Sequence, residues 1–117
     1  MGSRAVEELS TAEGVSRVTI ADRNVTAAEM LAARLAGRPA KVDVRKVDAR
    51  SHDDLVRAMQ GHDVAASALG PFFLFEARLV AAALDAGVNY ASICDEWQAA
   101  EEIFTRYDQP ARDKGRI

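Results

Sequence analysis

The stretch Val18-Thr19-Ile20-Ala21-Asp22-Arg23-Asn24 decides how this chain is read. Apolar and β-branched residues run up to an acid and a base, and an Ala-rich helical pattern starts directly behind them. This is how a parallel strand ends before a crossover helix. In dinucleotide-binding folds a carboxylate at the carboxyl tip of the second strand accepts hydrogen bonds from the adenosine ribose, ~20 residues after a glycine-rich phosphate turn. Counting back from Asp22 by that amount reaches Gly2, so the chain is expected to open on the last glycine of such a turn. The first strand of the fold is then missing.

Outward from this stretch, helical and strand patterns alternate throughout. Arg4 to Ala12 places Ala5, Val6 and Leu9 on one helical face, with Gly14 as a helix stop. Val15 to Ala21 reads as a strand. Asn24 is a helix N-cap, followed by a helix from Val25 to Leu35 that Gly37 and Pro39 close. Lys41 to Val47 alternates as a strand. Ser51 caps a helix through Met59, with Asp54 in a capping-box position and Gly61 behind. Asp63 to Leu69 is a short apolar run of the buried parallel kind, broken by Gly70-Pro71. Phe75 to Ala86 is an apolar helix ended by Gly87. Val88 to Ile93 is a last short strand, and Glu96 to Lys114 a last amphipathic helix that Pro110 is expected to kink or interrupt. Arg112 to Ile117 (RDKGRI) reads as the entry to a further strand, cut at its first apolar residue. Four strands and five helices in this order predict an α/β architecture, a Rossmann-like doubly wound parallel sheet lacking its first strand, with right-handed crossovers. The expectation is one partial domain over residues 1–117, truncated at both ends.

Bulk properties narrow the function. A chain of 117 residues that is 49% hydrophobic and 28% charged is globular, and a net charge of −3 argues against a nucleic-acid partner, which needs a basic face. No run reaches the ~20 apolar residues that span a bilayer, so no membrane partner is expected. The N-terminus lacks the apolar core of a signal peptide, and Val6 stands where a myristoylation motif needs Ser or Thr. The single cysteine makes no internal disulfide and fits a reducing, cytoplasmic setting.

Several residues carry candidate chemistry. Gly2 at a helix N-terminus leaves backbone N–H groups open to a pyrophosphate; equally, it is simply the residue behind an initiator Met. Asp22 suits ribose hydroxyls, and Arg23 suits adenine stacking or a 2′-phosphate, while the plain alternative is a polar loop that caps the next helix. The acid points to NAD and the base to NADP, so the cofactor is read as NADP or NAD. Asp48, behind the following strand, lies at the adenine edge in such folds or is a solvated strand-end acid. Ser67 to Phe72 (SALGPF) ends a strand on the side where ligands of open parallel sheets sit, and its glycine permits close backbone approach. Phe72, Phe73 and Phe75 are expected to form an apolar wall there or to pack as core.

Tyr90, Ser92 and Cys94 share one face of the last strand. No spacing ties His52 or His62 to Cys94, so Cys94 is read as a small packed residue, not a nucleophile, and no metal site is expected. Asp95 and Glu96 are read as caps of the last helix, and Trp97 as a packing or contact residue.

VTIADRN, the VDA of Val47 to Ala49, SALGPF, AALDAGVNY (Ala82 to Tyr90) and CDE (Cys94 to Glu96) occur in this order along nearly the whole chain. In this the chain resembles the NAD(P)-binding domain of the saccharopine dehydrogenase family. Many relatives have an acid at the position of Ser92; others have Ser with a following Cys-Asp pair, as here. The resemblance implies a pyridine nucleotide and oxidoreduction at a C–N bond of an amino-acid-derived substrate. It matches Gly2 to the last loop glycine, Asp22 and Arg23 to adenosine-ribose recognition, Asp48 to the adenine-side acid, and Leu69, Gly70 and Pro71 to the loop beside the nicotinamide ribose. Substrate and catalytic groups in the family come largely from a second domain, so no residue of this chain is given a catalytic role, and substrate is expected only with that domain. Loss of a central strand exposes strand edges, which predicts a homo-oligomer. A stand-alone nucleotide-binding or interaction module without catalysis is the alternative.

Overall fold

The computed structural model describes residues 1–117. Its elements are α1 (Gly2–Leu9), β1 (Arg17–Asp22), α2 (Val25–Arg34), β2 (Lys41–Lys46), α3 (His52–Met59), β3 (Val64–Ser67), α4 (Phe72–Ala86), β4 (Asn89–Ser92) and α5 (Trp97–Asp113). The strands form two parallel pairs, β1 with β2 and β3 with β4, each pair a two-stranded sheet. The chain divides accordingly into two compact units, residues 1–48 and 49–117. The α/β class with parallel strands agrees with the sequence reading.

In the first unit β1 and β2 run in register from Arg17 opposite Lys41 to Asp22 opposite Lys46. The ladder continues one step past the strands, where the Val47 amide donates to the Asp22 carbonyl at 3.1 Å. α2 packs on both strands. It starts where expected, because the Asn24 side chain accepts the Ala27 amide and satisfies a first-turn donor. α1 departs from expectation: it ends at Leu9, well before Gly14. Ser10 stops it by turning its hydroxyl onto the Glu7 carbonyl at 2.6 Å, and Thr11 does the same to Glu8 at 3.2 Å. Ser10 is fully buried, and its carbonyl accepts the Ala40 amide, tying α1 to the start of β2.

The apolar core of this unit is small: Ala28, Leu35, Ala40 and Val47. Val18, Ile20, Val42 and Val44 are only half-buried, although parallel strands are ordinarily covered on both faces. At each strand's outer edge the backbone has no ladder partner, since β1 and β2 pair only with each other.

In the second unit α4 is the central element, packed between α3 and α5. It buries Leu79, Val80, Ala82, Ala83 and Leu84, joined by Leu55, Ala58, Val88 and Ala99. Each large aliphatic side chain so buried contributes about 1.5–3 kcal/mol. Ser51 caps α3 through the Asp54 amide, and Gly87 ends α4 with φ of 73°, a left-handed conformation that favours glycine. α5 continues through Pro110 without interruption to Asp113. Beyond it, Ile117 reaches the outer edge of β4, where its carbonyl accepts the Tyr90 amide at 2.8 Å and its own amide donates to the Asn89 side chain. Of Arg112 to Ile117, read as the entry to a strand, the first two residues belong to α5, and Ile117, the first apolar residue, lies along the sheet. The other edge of β4 pairs with β3, which leaves the outer edge of β3 unpaired.

Candidate functional site

The carboxyl end of the β1–β2 pair gathers Asp22, Arg23, Lys46 and Asp48. One Asp22 oxygen, Oδ1, accepts the Asn24 amide at 2.8 Å, a two-residue turn that fixes the carboxylate at the strand tip. The other oxygen accepts nothing from the chain and is open to a hydroxyl donor. The capping role and the ligand role considered for this segment are thus divided: Asn24 caps α2, and Asp22 keeps half of its acceptor capacity free. Arg23 is exposed in the bend behind the strand. Asp48 is half-buried, directly behind the Val47 amide that bonds Asp22. Gly2 is the first residue of α1, as its expected part in a phosphate turn requires; the eight-residue helix carries no side-chain cap.

Leu69, Gly70 and Pro71 belong to the second unit, at the carboxyl end of the β3–β4 pair. Their loop is shaped from below by two serines in register. Ser67 accepts the Leu69 amide and Ser92 accepts the Cys94 amide, both at 3.2 Å, so each strand ends in the same side-chain-supported turn. The Gly70–Pro71 peptide is cis. A Cβ added to Gly70 would meet nothing within 4 Å, so the backbone there faces open space.

The first turn of α4 corrects the reading of Glu96. This residue is the N-cap of α5 but makes no side-chain cap bond to it. Its carboxylate instead accepts the Phe73 amide at 2.8 Å and caps α4. That is why α4 starts at Phe72, a turn earlier than its sequence pattern suggests. A helix N-terminus carrying its own chain's carboxylate no longer attracts an anion. The loop in front of it suits a neutral polar group, such as a ribose or a carboxamide, and not a pyrophosphate.

Beneath this loop lies a polar cluster that the spacing alone did not reveal. Glu76 is 3% exposed on α4, and the Tyr90 hydroxyl donates to it at 3.1 Å. Burial raises the Tyr90 phenol well above the ordinary range, the Ser67 hydroxyl opposes the rise, and the negative Glu76 adds to it. The pair clamps β4 to α4 under the Ser67 and Ser92 turns.

The remaining candidates are placed as follows. Cys94 is half-buried with its thiol against the Glu96 carbonyl at 3.8 Å, as a packed residue would be. His52 pairs with Asp85 at 2.7 Å on the exposed side of α3 and α4. Phe72, Phe73 and Phe75 stand in the first turn of α4. Phe73 faces a groove of about 460 Å³ together with His52, Ala77, Arg78, Arg106 and Tyr107, and none of Leu69, Gly70 and Pro71 lines it. Phe73 thus lines a groove apart from those three loop residues. Trp97 is 68% exposed and takes no part in the core.

The family model for the saccharopine dehydrogenase NADP binding domain matches residues 1–116. The chain belongs to that family. Solved structures with the same fold include an apo saccharopine dehydrogenase (L-Glu forming) from Saccharomyces cerevisiae, 17% identical with a TM-score of 0.77 over 98% of this chain and 23% of that one. An NADPH-dependent quinone oxidoreductase from Escherichia coli matches with 24% identity and a TM-score of 0.62, over 99% of this chain and 41% of its own. A Citrobacter triphenylmethane reductase complexed with NADP(H) matches with 24% identity and a TM-score of 0.66, over 97% and 42%. The chain thus spans less than half the length of each. These likenesses confirm a Rossmann-like fold, and membership of the saccharopine dehydrogenase NADP-binding family supports a pyridine nucleotide as cofactor.

Proposed function

We propose that this chain is the nucleotide-binding part of a saccharopine dehydrogenase-like oxidoreductase that acts on a C–N bond of an amino-acid-derived substrate in the cytoplasm. The observation that carries the reading is the Asp22 carboxylate, fixed at the carboxyl tip of a parallel strand with one oxygen open, in a chain of the NADP-binding family. Taken unit by unit, the residues present have the chemistry that the parts of a dinucleotide take. Asp22 would accept from the adenosine ribose, Arg23 and Asp48 would flank the adenine end, and Gly2 would begin the helix facing the pyrophosphate. Leu69, Gly70 and Pro71 would offer backbone to the nicotinamide ribose, where the Glu96 carboxylate disfavours an anion. When bound, the nucleotide supplies the hydride chemistry; the chain's part is to bind and orient it.

The unpaired outer edges of β1 and β3 and the half-buried strand residues favour a homo-oligomer in which a second copy covers them. They also favour the alternative of a non-catalytic binding or interaction module.

A thermal melt with and without millimolar NADPH, NADP⁺, NADH and NAD⁺ tests the nucleotide reading. A ligand at about 100 times its Kd stabilises by ~2.7 kcal/mol, a clear shift for a small protein. The expected result is a shift with a pyridine nucleotide that Asp22→Ala largely removes. A cooperative melt that no nucleotide moves would overturn the reading.

A further inference from the structure

α4 turns two adjacent rows of side chains toward the groove of about 460 Å³ that it shares with α3 and α5. Phe73, Ala77 and Ala81 recur at intervals of four, and Leu74 and Arg78 stand beside them at the same interval. The two alanines carry only methyl groups, so they form a low floor, while Phe73, Leu74 and Arg78 rise at the rim. Phe73 is 69% and Leu74 47% exposed. A tightly held small molecule is buried over most of its surface, and a groove this open covers only one side of its occupant. From Phe73 to Ala81 the helix rises about 12 Å, the reach of a few side chains of a polypeptide segment laid along it. Exposed apolar surface with a polar rim is the mark of a protein interaction site.

Charge defines the partner. Arg106 is paired with Glu102 and lies over the Tyr107 ring, 5.1 Å from its centroid. His52 is paired with Asp85 at 2.7 Å. Arg78 is exposed and has no ion pair or hydrogen bond of its own side chain within the chain. The groove therefore offers one uncompensated guanidinium a single helical turn from the Leu74 side chain, on a protein whose net charge is −3. An acidic group answers that guanidinium with a charge-assisted, bidentate contact, and an apolar neighbour covers Phe73 and Leu74.

We propose that this groove is a docking site for an acidic, apolar peptide segment of a partner protein, with an apolar side chain seated on Phe73, Leu74 and Ala77 and a carboxylate paired to Arg78. The site lies wholly in the second unit and does not depend on the nucleotide reading.

The test selects a phage-displayed library of random peptides on this chain and measures a labelled synthetic copy of an enriched peptide by fluorescence anisotropy. Enriched peptides are expected to share an apolar residue and an Asp or Glu about one helical turn away. Arg78→Glu is expected to weaken binding about tenfold or more, and exchange of the peptide's acid for Lys to restore it. Phe73→Ala is expected to weaken binding by a similar factor. Both side chains are exposed, so the thermal melts of these variants are expected to match wild type; if that of Arg78→Glu does not, Arg78→Gln removes the charge alone and is read in its place. Failure to enrich any peptide, enriched peptides without an acid, or equal binding to Arg78→Glu would overturn the proposal. Self-association of wild type that Phe73→Ala abolishes would also overturn it, because the occupant would then be a second copy.

Discussion

The Glu96 carboxylate accepts the Phe73 amide hydrogen at 2.8 Å, joining the loop behind β4 to the first turn of α4 across 23 residues of sequence. The bond is exposed and charge-assisted, and it answers a donor that would otherwise have no intrahelical partner. Glu96→Ala is expected to destabilise the protein by about 1 kcal/mol, and Glu96→Gln, which keeps an acceptor, by about half as much. Urea unfolding of both variants checks this. Equal stability of Glu96→Ala and wild type would show that α4 holds its first turn without the clamp.

Tyr90 and Glu76 form the most deeply set polar pair of the second unit. Tyr90→Phe leaves a buried carboxyl without its donor and is expected to cost about 1–3 kcal/mol. The pair also predicts an alkaline limit. The folded phenol sits above its ordinary value of 10.0 because burial disfavours the phenolate. Its contribution is fully present below pH 10 and is lost as pH rises beyond it, because the unfolded chain gives up the proton first. Stability measured from pH 8 to 11 should fall less steeply in Tyr90→Phe than in wild type. Parallel curves would contradict the assignment.

The unpaired edge of β3 carries Val64, 54% exposed. If a second copy pairs along this edge, a lysine there should block it, as edge lysines do in natural sheets. Sedimentation equilibrium is expected to show concentration-dependent association of wild type and about tenfold weaker association of Val64→Lys. A monomeric wild type at high concentration would remove the homo-oligomer proposal.

Local signals located all nine elements and most of their caps. Asn24, Ser51 and Gly87 work within a few residues of themselves, through a side-chain bond to an amide three residues on or through one left-handed backbone angle. The same locality explains the misplaced ends. Ser10 stops α1 with a hydroxyl that a helical pattern does not show, and α4 starts early because an acceptor arrives from a distant loop.

By itself the sequence determined the alternation of helix and strand, the family, and Asp22 at the tip of its strand. Periodicities of 3.6 and 2, caps and breakers are properties of neighbouring residues. Only the tertiary structure decided that Lys46 stands beside Asp22, that Tyr90 reaches Glu76, and that Glu96 serves α4 and not α5. Each of these joins residues 14 to 24 positions apart on different elements. Strand register and helix packing set such pairings, and a one-residue slip of a strand would turn every side chain to the other face.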